Sequence, residues 1–451
     1  MTEKTEKTEI VTNLKFDFIE KLNILKNIRH EIKKKRFILD ENVDKFGFND
    51  LSQLTKVKNT SQIKGYPFVA SKIKSKILKG IKIGLKVVPI ETKFEKHEHP
   101  TNLEFITLKE LTDNLIINQI CPHITYFLGL QKVSNKSRAI KFLNLKRLEV
   151  EEQIKTHSNM LISEFVEAGS LDNWVYDIYE DDETISDIQW KSLVFQIVYT
   201  LAIIQKKYKM MHNDLHYGNI LIDNTIKPGG YFVYEIKDKK YYIFNNGILP
   251  KLWDWEFCMC YSNKIEDFYP NQFIIGKCEF DKKTFITKEP EPNDNSSYDS
   301  DDLNVPFNYN EIYDLHYFLT SLLDLYISQE LFDWIMKIYP SELIPKEDES
   351  TSETSSEISS DQIESKNSPR IEEIESDDES VSDDESDSSK SSSRSAYDRY
   401  LSEGRIKNGM EKEFTDLPTP NTILDNDFFN IFLTKPTDFD EKTAIYFKAG
   451  F

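Results

Sequence analysis

The sequence predicts an α+β fold in which a small β-rich part precedes a larger α-helical part. Runs of β-branched and aromatic residues, one of them alternating, occupy the first part, and runs with helical spacing dominate the second. The strand-like runs are 66–69, 81–90, 124–130 and 160–166, and the helical runs are about 100–117, 187–209 and 311–338. Apolar residues make up 39% of the chain and aromatic residues 12%, which is enough for a sizeable core.

Composition divides the chain into five segments. The charged segment 1–60 has helical spacing and forms an N-terminal extension, and 61–165 forms the β-rich part. The α-helical part consists of 166–345 and 397–451. Between them, 346–396 is Ser, Glu and Asp with almost no aromatic residues, so it cannot bury enough apolar surface to offset its ordering entropy. We therefore expect a disordered acidic insertion within a domain.

Charge and cysteine content exclude several classes of protein. The net charge of −20 argues against non-specific nucleic-acid binding. The four cysteines are too few and too scattered for a disulfide framework, which fits a reducing compartment. The N-terminus lacks the apolar segment of a signal peptide, and no apolar run approaches the ~18 residues that a membrane helix needs. We expect a soluble cytoplasmic protein without a membrane partner.

The segment His212–Leu221 carries the clearest chemical signal. It places the carboxylate of Asp214 five positions before the amide of Asn219, between apolar neighbours. Phosphoryl transfer needs an acid that accepts or orients a hydroxyl proton and a nearby neutral oxygen that holds a metal on the phosphates. Asp254, in the aromatic run Lys251–Phe257, provides a second carboxylate for that metal. The sequence therefore predicts a site for phosphoryl transfer.

These motifs, in this order along the chain, resemble the protein-kinase-like fold, with a small β-rich N-lobe and a larger α-helical C-lobe. The similarity covers roughly 60–340 and 397–440. The diverged glycine loop and the Lys-, Ile- and Asn-heavy composition resemble the serine/threonine protein kinases ascribed to giant DNA viruses. The resemblance implies ATP and Mg²⁺ as cofactors, a protein substrate, and a location in the host cytoplasm or the virion.

The resemblance assigns a phosphate-binding lysine and its partner. Lys86, in the alternating run, resembles the strand lysine that holds the α- and β-phosphates. Two glutamates follow on the predicted helix. The kinase helix places an apolar residue one turn after its glutamate, and Leu108 follows Glu104 at that distance, whereas Asn114 follows Glu110. We therefore expect Glu104 to hold Lys86.

The catalytic and metal-binding roles follow from the same resemblance. Asp214 is expected to be the catalytic base, and Asn219 and Asp254 are expected to hold Mg²⁺. His212 is expected to be structural, with its imidazole bridging the catalytic loop to the Asp254 turn.

The run Ser163–Leu171 resembles a kinase hinge. The backbone from Glu164 to Val166 would bind the adenine edge, with Ser163 as the small residue behind it. The full nucleotide-binding set implied by the resemblance is Gly65, Val69, Lys86, Glu164, Val166 and Leu221.

Four residues depart from the kinase pattern. Gly65 is the one glycine available for the phosphate loop, Asn213 replaces the arginine before the catalytic base, and Glu256 replaces the glycine after Asp254 and its aromatic neighbour. His216 occupies the place of a lysine beside the γ-phosphate, where it would be only partly charged near neutral pH.

Two further features are expected in the C-lobe: an inserted hairpin and an acidic residue that anchors the catalytic loop. The interval of 40 residues between Asp214 and Asp254 exceeds that of protein kinases, and we attribute the excess to an inserted β-hairpin within 231–257. A later helix should carry the acid that anchors the catalytic loop. Spacing does not decide between Glu311 and Asp314, with a slight preference for Asp314.

Two other functions stay open at this point. Asp-Leu-His-x-Gly-Asn is also typical of aminoglycoside phosphotransferases and choline kinases, so a small-molecule kinase is the first alternative to a protein kinase. The missing glycines also allow a catalytically weak pseudokinase scaffold. The intact Asp214, Asn219 and Asp254 argue against the scaffold, and we rank the serine/threonine protein kinase first.

Overall fold

The computed structural model describes residues 15–34, 54–56, 66–70, 81–91, 100–134, 154–265, 279–281, 286–288, 308–345 and 399–451, with 403 and 408 excepted. Within these residues, a five-stranded sheet and an adjoining helix form the N-lobe, and helices with small sheets form the C-lobe. This confirms the predicted bilobal α+β fold class. Gly65 and the acidic segment 346–396 lie outside the described residues. None of the described helices is long and apolar enough to cross a bilayer.

The N-lobe sheet places Lys86 in the interior of the protein. Its strands are β1 (Leu54–Lys56), β2 (Tyr66–Ala70), β3 (Ile83–Glu91), β4 (Phe127–Ser134) and β5 (Ile154–Glu164). They pair antiparallel in the order β1-β2-β3-β5-β4. In β3 the side chains of Ile83 and Leu85 are buried, as the alternation predicted, and Lys86 lies opposite Leu161 of β5.

Two strand boundaries in the N-lobe differ from the sequence prediction. β4 begins later than the predicted run 124–130, and β5 begins earlier than the predicted run 160–166. Ile124 forms a bridge with Leu252 of the C-lobe instead, and the amide of Thr125 donates to the Leu252 carbonyl at 3.2 Å. Because this pairing is between distant residues, local periodicity does not reveal it.

Helix α2 (Pro100–Leu111) carries Glu104 beneath the sheet. Proline suits the first position of a helix, because its φ is already helical and its missing N–H is not needed there. Leu103 and Leu108 are buried in the core, and Glu104 is fully buried on the same helix. The helix continues into one π-helical turn, Thr112–Ile116.

The C-lobe is built around one long buried helix. Its helices are α3 (Leu171–Glu180), α4 (Asp187–Tyr208), α5 (Tyr313–Ser321), α6 (Gln329–Ile338) and α7 (Pro420–Ile423). Helix α4 begins with a capping box, in which the Ser186 amide donates to the Gln189 side chain at 3.0 Å. It is buried on nearly all sides and ends at Tyr208, and the next residue, Lys209, has a φ of +47°. The segment His212–Leu221 follows shortly after.

Short strands arrange the loops of the C-lobe. They are β6 (Met210–Met211), β7 (Ile220–Asp223), β8 (Tyr231–Ile236), β9 (Lys239–Phe244), β10 (Leu249–Leu252), β11 (Met259–Cys260), β12 (Glu279–Asp281), β13 (Ile286–Lys288), β14 (Leu401–Ser402), β15 (Arg405–Ile406) and β16 (Ile445–Lys448). β8 and β9 form the hairpin expected between Asp214 and Asp254. β16 joins β8 in parallel, and the rings of Tyr234 and Phe447 lie 5.2 Å apart. The hairpin is therefore part of the C-lobe core.

Helix α1 (Phe18–Lys33) packs against both lobes. Just before it, Phe16 forms a parallel bridge with Ile226 of the C-lobe. Near its other end, Ile32 lies against Gly129 of β4 in the N-lobe, where a Cβ atom would be 2.8 Å from the Ile32 side chain. Glycine permits this close approach. The side chains that α1 buries in the common core are Phe18, Leu22, Ile24, Leu25 and Ile28.

Four buried ionic groups connect α1 to both lobes. The ammonium group of Lys21 pairs with Asp223 and lies 3.5 Å from Glu164, and that of Lys251 pairs with Glu164. Asp223 also accepts from the Thr225 amide at 3.1 Å. Two cations thus balance two anions. Burial alone would raise the pKa of Asp223, but the ammonium groups of Lys21 and Lys251 outweigh it and lower that pKa to about 2.

The Lys21→Met variant should be markedly less stable, because it leaves a buried group of net charge −1 around Asp223. Removing one partner of a buried ion pair costs about 3–5 kcal/mol. The free energy of unfolding from urea titration measures this. Lys33→Met, at an exposed position of the same helix, is the control and should change stability little. Equal stabilities of the two variants would contradict this account of α1.

The contribution of Asp223 to stability should depend on pH. Its pKa of about 2 in the folded protein lies below the 3.8 of an unperturbed aspartate, so the unfolded chain binds more protons between these values. The contribution is therefore complete above about pH 4 and decreases as the pH falls toward 2. We expect the Asp223→Asn variant to be about 2 kcal/mol less stable at pH 6, and this deficit to be roughly halved at pH 3. A deficit that is the same at both pH values in urea unfolding, with Asp177→Asn as the exposed control, would count against this.

Candidate active site

Lys86 lies at the centre of a buried ionic cluster. Its Nζ atom is 3.0 Å from Glu104 Oε2, 3.0 Å from Asp254 Oδ1 and 3.0 Å from Glu256 Oε1. All four side chains are buried. The structure therefore brings together three of the predicted site residues, Lys86, Glu104 and Asp254. Glu256, which the sequence marks only as a replacement for glycine, adds a third carboxylate.

The cluster has an excess of negative charge. Burial alone would lower the pKa of Lys86, but Asp254, Glu104 and Glu256 together raise it well above its usual value. Burial raises the pKa of Glu104 to about 8, with Asp254 and Glu256 adding to the effect and Lys86 opposing it. Because three carboxylates share one ammonium group, the site favours an additional proton or an additional cation.

The segment His212–Leu221, expected to be the catalytic loop, holds Asp214 and Asn219 in direct contact. The side-chain amide of Asn219 donates to Asp214 Oδ2 at 2.9 Å and to the Asp214 carbonyl at 2.8 Å. Both hydrogen bonds use the nitrogen of the amide, so its oxygen is left for another partner. The five-residue spacing recognised in the sequence thus corresponds to a closed loop in which the acid and the amide face each other.

A buried aspartate from α5 anchors this loop. Asp314 accepts hydrogen bonds from the amides of His212 at 2.7 Å and Asn213 at 2.8 Å. This decides between the two candidate anchors, because both of these loop amides donate to the side chain of Asp314. Burial raises the pKa of Asp314, and the His212 imidazole and the two amides oppose that effect.

Two contacts join the catalytic loop to the Asp254 segment. The His212 imidazole donates through Nε2 to the Trp253 carbonyl at 2.8 Å, which is the bridging contact expected of it. The side chain of Asn213 donates to the Phe257 carbonyl at 2.9 Å. Asp254 lies between these points with a φ of +62°, in the left-handed region that Asp and Asn tolerate best. Its carboxylate is thereby directed at Lys86.

The two expected metal ligands lie at the same end of a strand pair. β7 and β10 are antiparallel with Ile220 opposite Leu252, and the Trp253 amide donates to the Asn219 carbonyl at 3.0 Å. This places Asn219 and Asp254 side by side. A carboxylate oxygen and an amide oxygen are ligands that Mg²⁺ accepts, so these residues fit the metal that the fold implies.

Val69, one of the expected nucleotide-binding residues, lies in one row across the sheet with two small residues. Val69 of β2 is opposite Gly84 of β3, and Gly84 is opposite Ser163 of β5. A Cβ atom on Gly84 would be 3.2 Å from Ser163 Oγ, so small residues keep these strands close at that point. Leu221 of β7 bridges to Ser170, just after the hinge.

The side chain of Glu164 turns away from the hinge backbone. It accepts from the Tyr126 amide at 2.8 Å and pairs with Lys251. Its backbone and that of Val166 continue β5 into the segment expected to contact adenine, and Val166 is buried. Gly65, the remaining residue of the expected nucleotide-binding set, lies outside the described residues.

His216 lies close to Asp214. Its Nε2 atom is 4.0 Å from Asp214 Oδ2. Burial is the largest influence on its pKa and lowers it, and Arg405 adds to this effect while Asp214 opposes it. Burial thus reduces the charged fraction of the imidazole, in line with the expectation of only partial charge near neutral pH.

Sequence reasoning missed a cation that contacts Asp214. The guanidinium group of Arg405, in β15, donates to Asp214 Oδ1 and, at 2.5 Å, to the Asn213 carbonyl. Arg405 is separated from Asp214 by 191 positions, on the far side of the acidic insertion. No local motif marks it. Lys21, which supports the hinge through Glu164, was missed because segment 1–60 was treated as a separate extension.

Known proteins similar to this chain are named as kinases. No model of a known protein family matches it. A protein of Acanthamoeba polyphaga mimivirus named "Putative serine/threonine-protein kinase" is 24% identical over 271 residues, which cover 54% of this chain and 52% of that protein. A second mimivirus protein with this description is 44% identical over 66 residues, 14% of this chain and 17% of its own length. A Dictyostelium discoideum protein named "Probable serine/threonine-protein kinase" is 43% identical over 77 residues, 17% of this chain and 6% of its own length.

The similarity extends over part of each protein. The chain spans about half the length of the first mimivirus relative and less of the other two. Among solved structures, the crystal structure of the BubR1 kinase domain is 15% identical with a TM-score of 0.30, and the match covers 50% of this chain and 51% of that one. The described residues form a bilobal α+β fold, and the chain resembles the serine/threonine kinases named in mimivirus.

Proposed function

We propose that the chain is an ATP- and Mg²⁺-dependent protein kinase that transfers the γ-phosphoryl group to serine or threonine of a protein. The observation that supports this most is the convergence of three distant segments. Lys86 of β3 contacts both Glu104 of α2 and Asp254, and Asp254 lies beside the Asp214–Asn219 loop. Phosphoryl transfer depends mainly on positioning and on electrostatic stabilisation, and this arrangement provides groups for both.

The N-lobe would bind the nucleotide. The ammonium group of Lys86 would hold the α- and β-phosphates as a point charge, and Glu104 would fix its position. The hinge backbone at Glu164 and Val166 would contact the adenine edge. Burial of Val166 at this point gives the apolar surroundings that an adenine ring needs.

Asp214 would orient the acceptor hydroxyl and accept its proton. Its carboxylate is held at one oxygen by Asn219 and at the other by Arg405. Mg²⁺ held by Asn219 and Asp254 would neutralise charge on the phosphates. Because the Asn219 side chain binds Asp214 through its nitrogen and would bind the metal through its oxygen, the proton acceptor and the metal site have a fixed relative position.

A cavity lined in part by His216, whose Nε2 atom is 4.0 Å from Asp214 Oδ2, would offer space for the acceptor. Its volume is about 260 Å³, and its walls include His216, Tyr217, Tyr317, Ser321 and Asp324. It combines aromatic and acidic side chains, which suits a peptide segment. It also suits a cationic small molecule, so the alternative is a small-molecule kinase with the same catalytic residues. The identity of the acceptor distinguishes the two.

Wild-type protein should transfer label from γ-labelled ATP with Mg²⁺ to a basic or an acidic protein acceptor. The Asp214→Asn variant should be slower by roughly 10²–10⁴-fold, because it lacks the proton acceptor. Asp238→Asn, at an exposed position in the β8–β9 turn, is the matched control and should keep full activity. Parallel reactions contain aminoglycosides and amino alcohols. Label on these alone would favour the small-molecule alternative, and equal labelling by wild type and Asp214→Asn would refute both kinase proposals.

Nucleotide binding should depend on Lys86. At 100 times the dissociation constant, Mg·ATP should stabilise the wild-type protein by about 2.7 kcal/mol. The Lys86→Met variant should lose most of this stabilisation, because three carboxylates then face the phosphates without a cation. Thermal shift measured with and without Mg·ATP tests this, with Lys109→Met on the exposed face of α2 as the control. A wild-type protein whose melting temperature does not respond to Mg·ATP would instead support a pseudokinase scaffold.

A further inference from the structure

We propose that Arg405 is a positioning residue for the proton acceptor Asp214 and supplies the cation that the catalytic loop itself lacks. The inference rests on the function proposed above. The guanidinium group contacts the loop twice, at Asp214 Oδ1 and at the Asn213 carbonyl. Its five N–H donors have a fixed planar geometry, so two simultaneous contacts fix the guanidinium group relative to the loop, and with it the position of Asp214 Oδ1.

Arg405 itself is held firmly. It is 5% exposed and lies in the β14–β15 hairpin, whose Leu401 and Ile406 are buried against Leu343. Gly404, with a φ of +74°, forms the turn just before it. This packing fixes the backbone of the hairpin and therefore the position of the Cα atom of Arg405.

Helix α5 supports the arginine from the other side. The guanidinium carbon lies 4.2 Å from the centre of the Tyr317 ring, and a side-chain hydrogen bond joins Arg405 to Tyr313. Both tyrosines belong to α5, the helix that also carries Asp314. Asp314 accepts hydrogen bonds from the amides of His212 and Asn213. One helix thus fixes the backbone of the catalytic loop directly and fixes its carboxylate through Arg405.

The loop has no cation of its own in this position. Asn213 and His216 stand where arginine and lysine are usual in protein kinases. Within the described part of the chain, the ion pairs of Asp214 are those with Arg405 and His216, and the Nε2 atom of His216 is 4.0 Å away. Arginine keeps its charge at every pH at which the protein is folded. Arg405 is therefore the permanent positive charge beside Asp214.

The two oxygens of Asp214 have different partners. Oδ1 is held by Arg405, and Oδ2 accepts from Asn219 at 2.9 Å. Without Arg405, rotation of the carboxylate would be limited by Asn219 alone. A displacement of about 1 Å at a reacting group costs about 10²-fold in rate. We therefore expect the loss of Arg405 to lower kcat while leaving the distant adenine and phosphate contacts unchanged.

The test uses full-length wild type, Arg405→Gln, Arg405→Lys and the control Arg399→Gln. Arg399 lies just before the same hairpin, with 59% of its side chain exposed, and its ionic partner is Glu413. Labelled-ATP kinetics give kcat and the KM for ATP. We expect Arg405→Gln to lose about 10²-fold in kcat with an unchanged KM. Arg405→Lys should lose less, because one ammonium group keeps the charge but cannot make both contacts. Arg399→Gln should match wild type.

A double variant separates positioning from general structural damage. In the Asp214→Asn background, Arg405→Gln should cause little further loss, because the carboxylate that it orients is already absent. A loss of the same factor in both backgrounds, or a rise in the KM for ATP, would overturn the inference, as would full kcat in Arg405→Lys and Arg405→Gln. If Arg405→Gln does not fold, Arg405→Lys decides, and wild-type kcat in that variant rejects the proposal. Failure of the proposed function is a distinct result, in which wild type and Asp214→Asn label acceptors equally.

Discussion

The hydrogen bonds from the amides of His212 and Asn213 to Asp314 are the constraint on which the rest of the site depends. They hold two consecutive peptide groups to a carboxylate in the C-lobe core. A buried carboxylate is costly unless it is satisfied, and here two donors satisfy it. The loop therefore has little freedom at its start. Asp214, the next residue, inherits a fixed position.

Within the described residues, the protein contains two groups of buried charges, of which one is balanced and the other carries net negative charge. Around Lys21 and Lys251 the charges balance, so that group holds the fold together without needing a ligand. Around Lys86 they do not balance, because three carboxylates surround one ammonium group. An unbalanced buried cluster is unfavourable by itself and becomes favourable when a cation binds. The contrast distinguishes the structural ionic group from the candidate functional one.

Sequence reasoning located the parts of the site that local patterns encode. The apolar residue one turn after Glu104, Leu108, favours Glu104 over Glu110 as the partner of Lys86. The structure pairs Glu104 with Lys86. Asp214 and Asn219 are five positions apart, so their contact is also local. The choice between Glu311 and Asp314 depends on which side of the helix faces the loop. The role of Arg405 depends on a contact with a residue 191 positions away. A short stretch of sequence contains neither kind of information.

Helix α1 has a mechanical consequence for the molecule. It reaches from a bridge with the C-lobe at Phe16 to close packing on β4 at Gly129, and the buried amine of Lys21 lies between these two points. The helix therefore connects the two lobes on one side of the cleft. For the lobes to rotate far apart, α1 would have to detach from one of them and expose its apolar side chains to water. For the nucleotide proposed as substrate, entry and exit should therefore involve small, local movements near the mouth of the cleft rather than rotation of one lobe against the other.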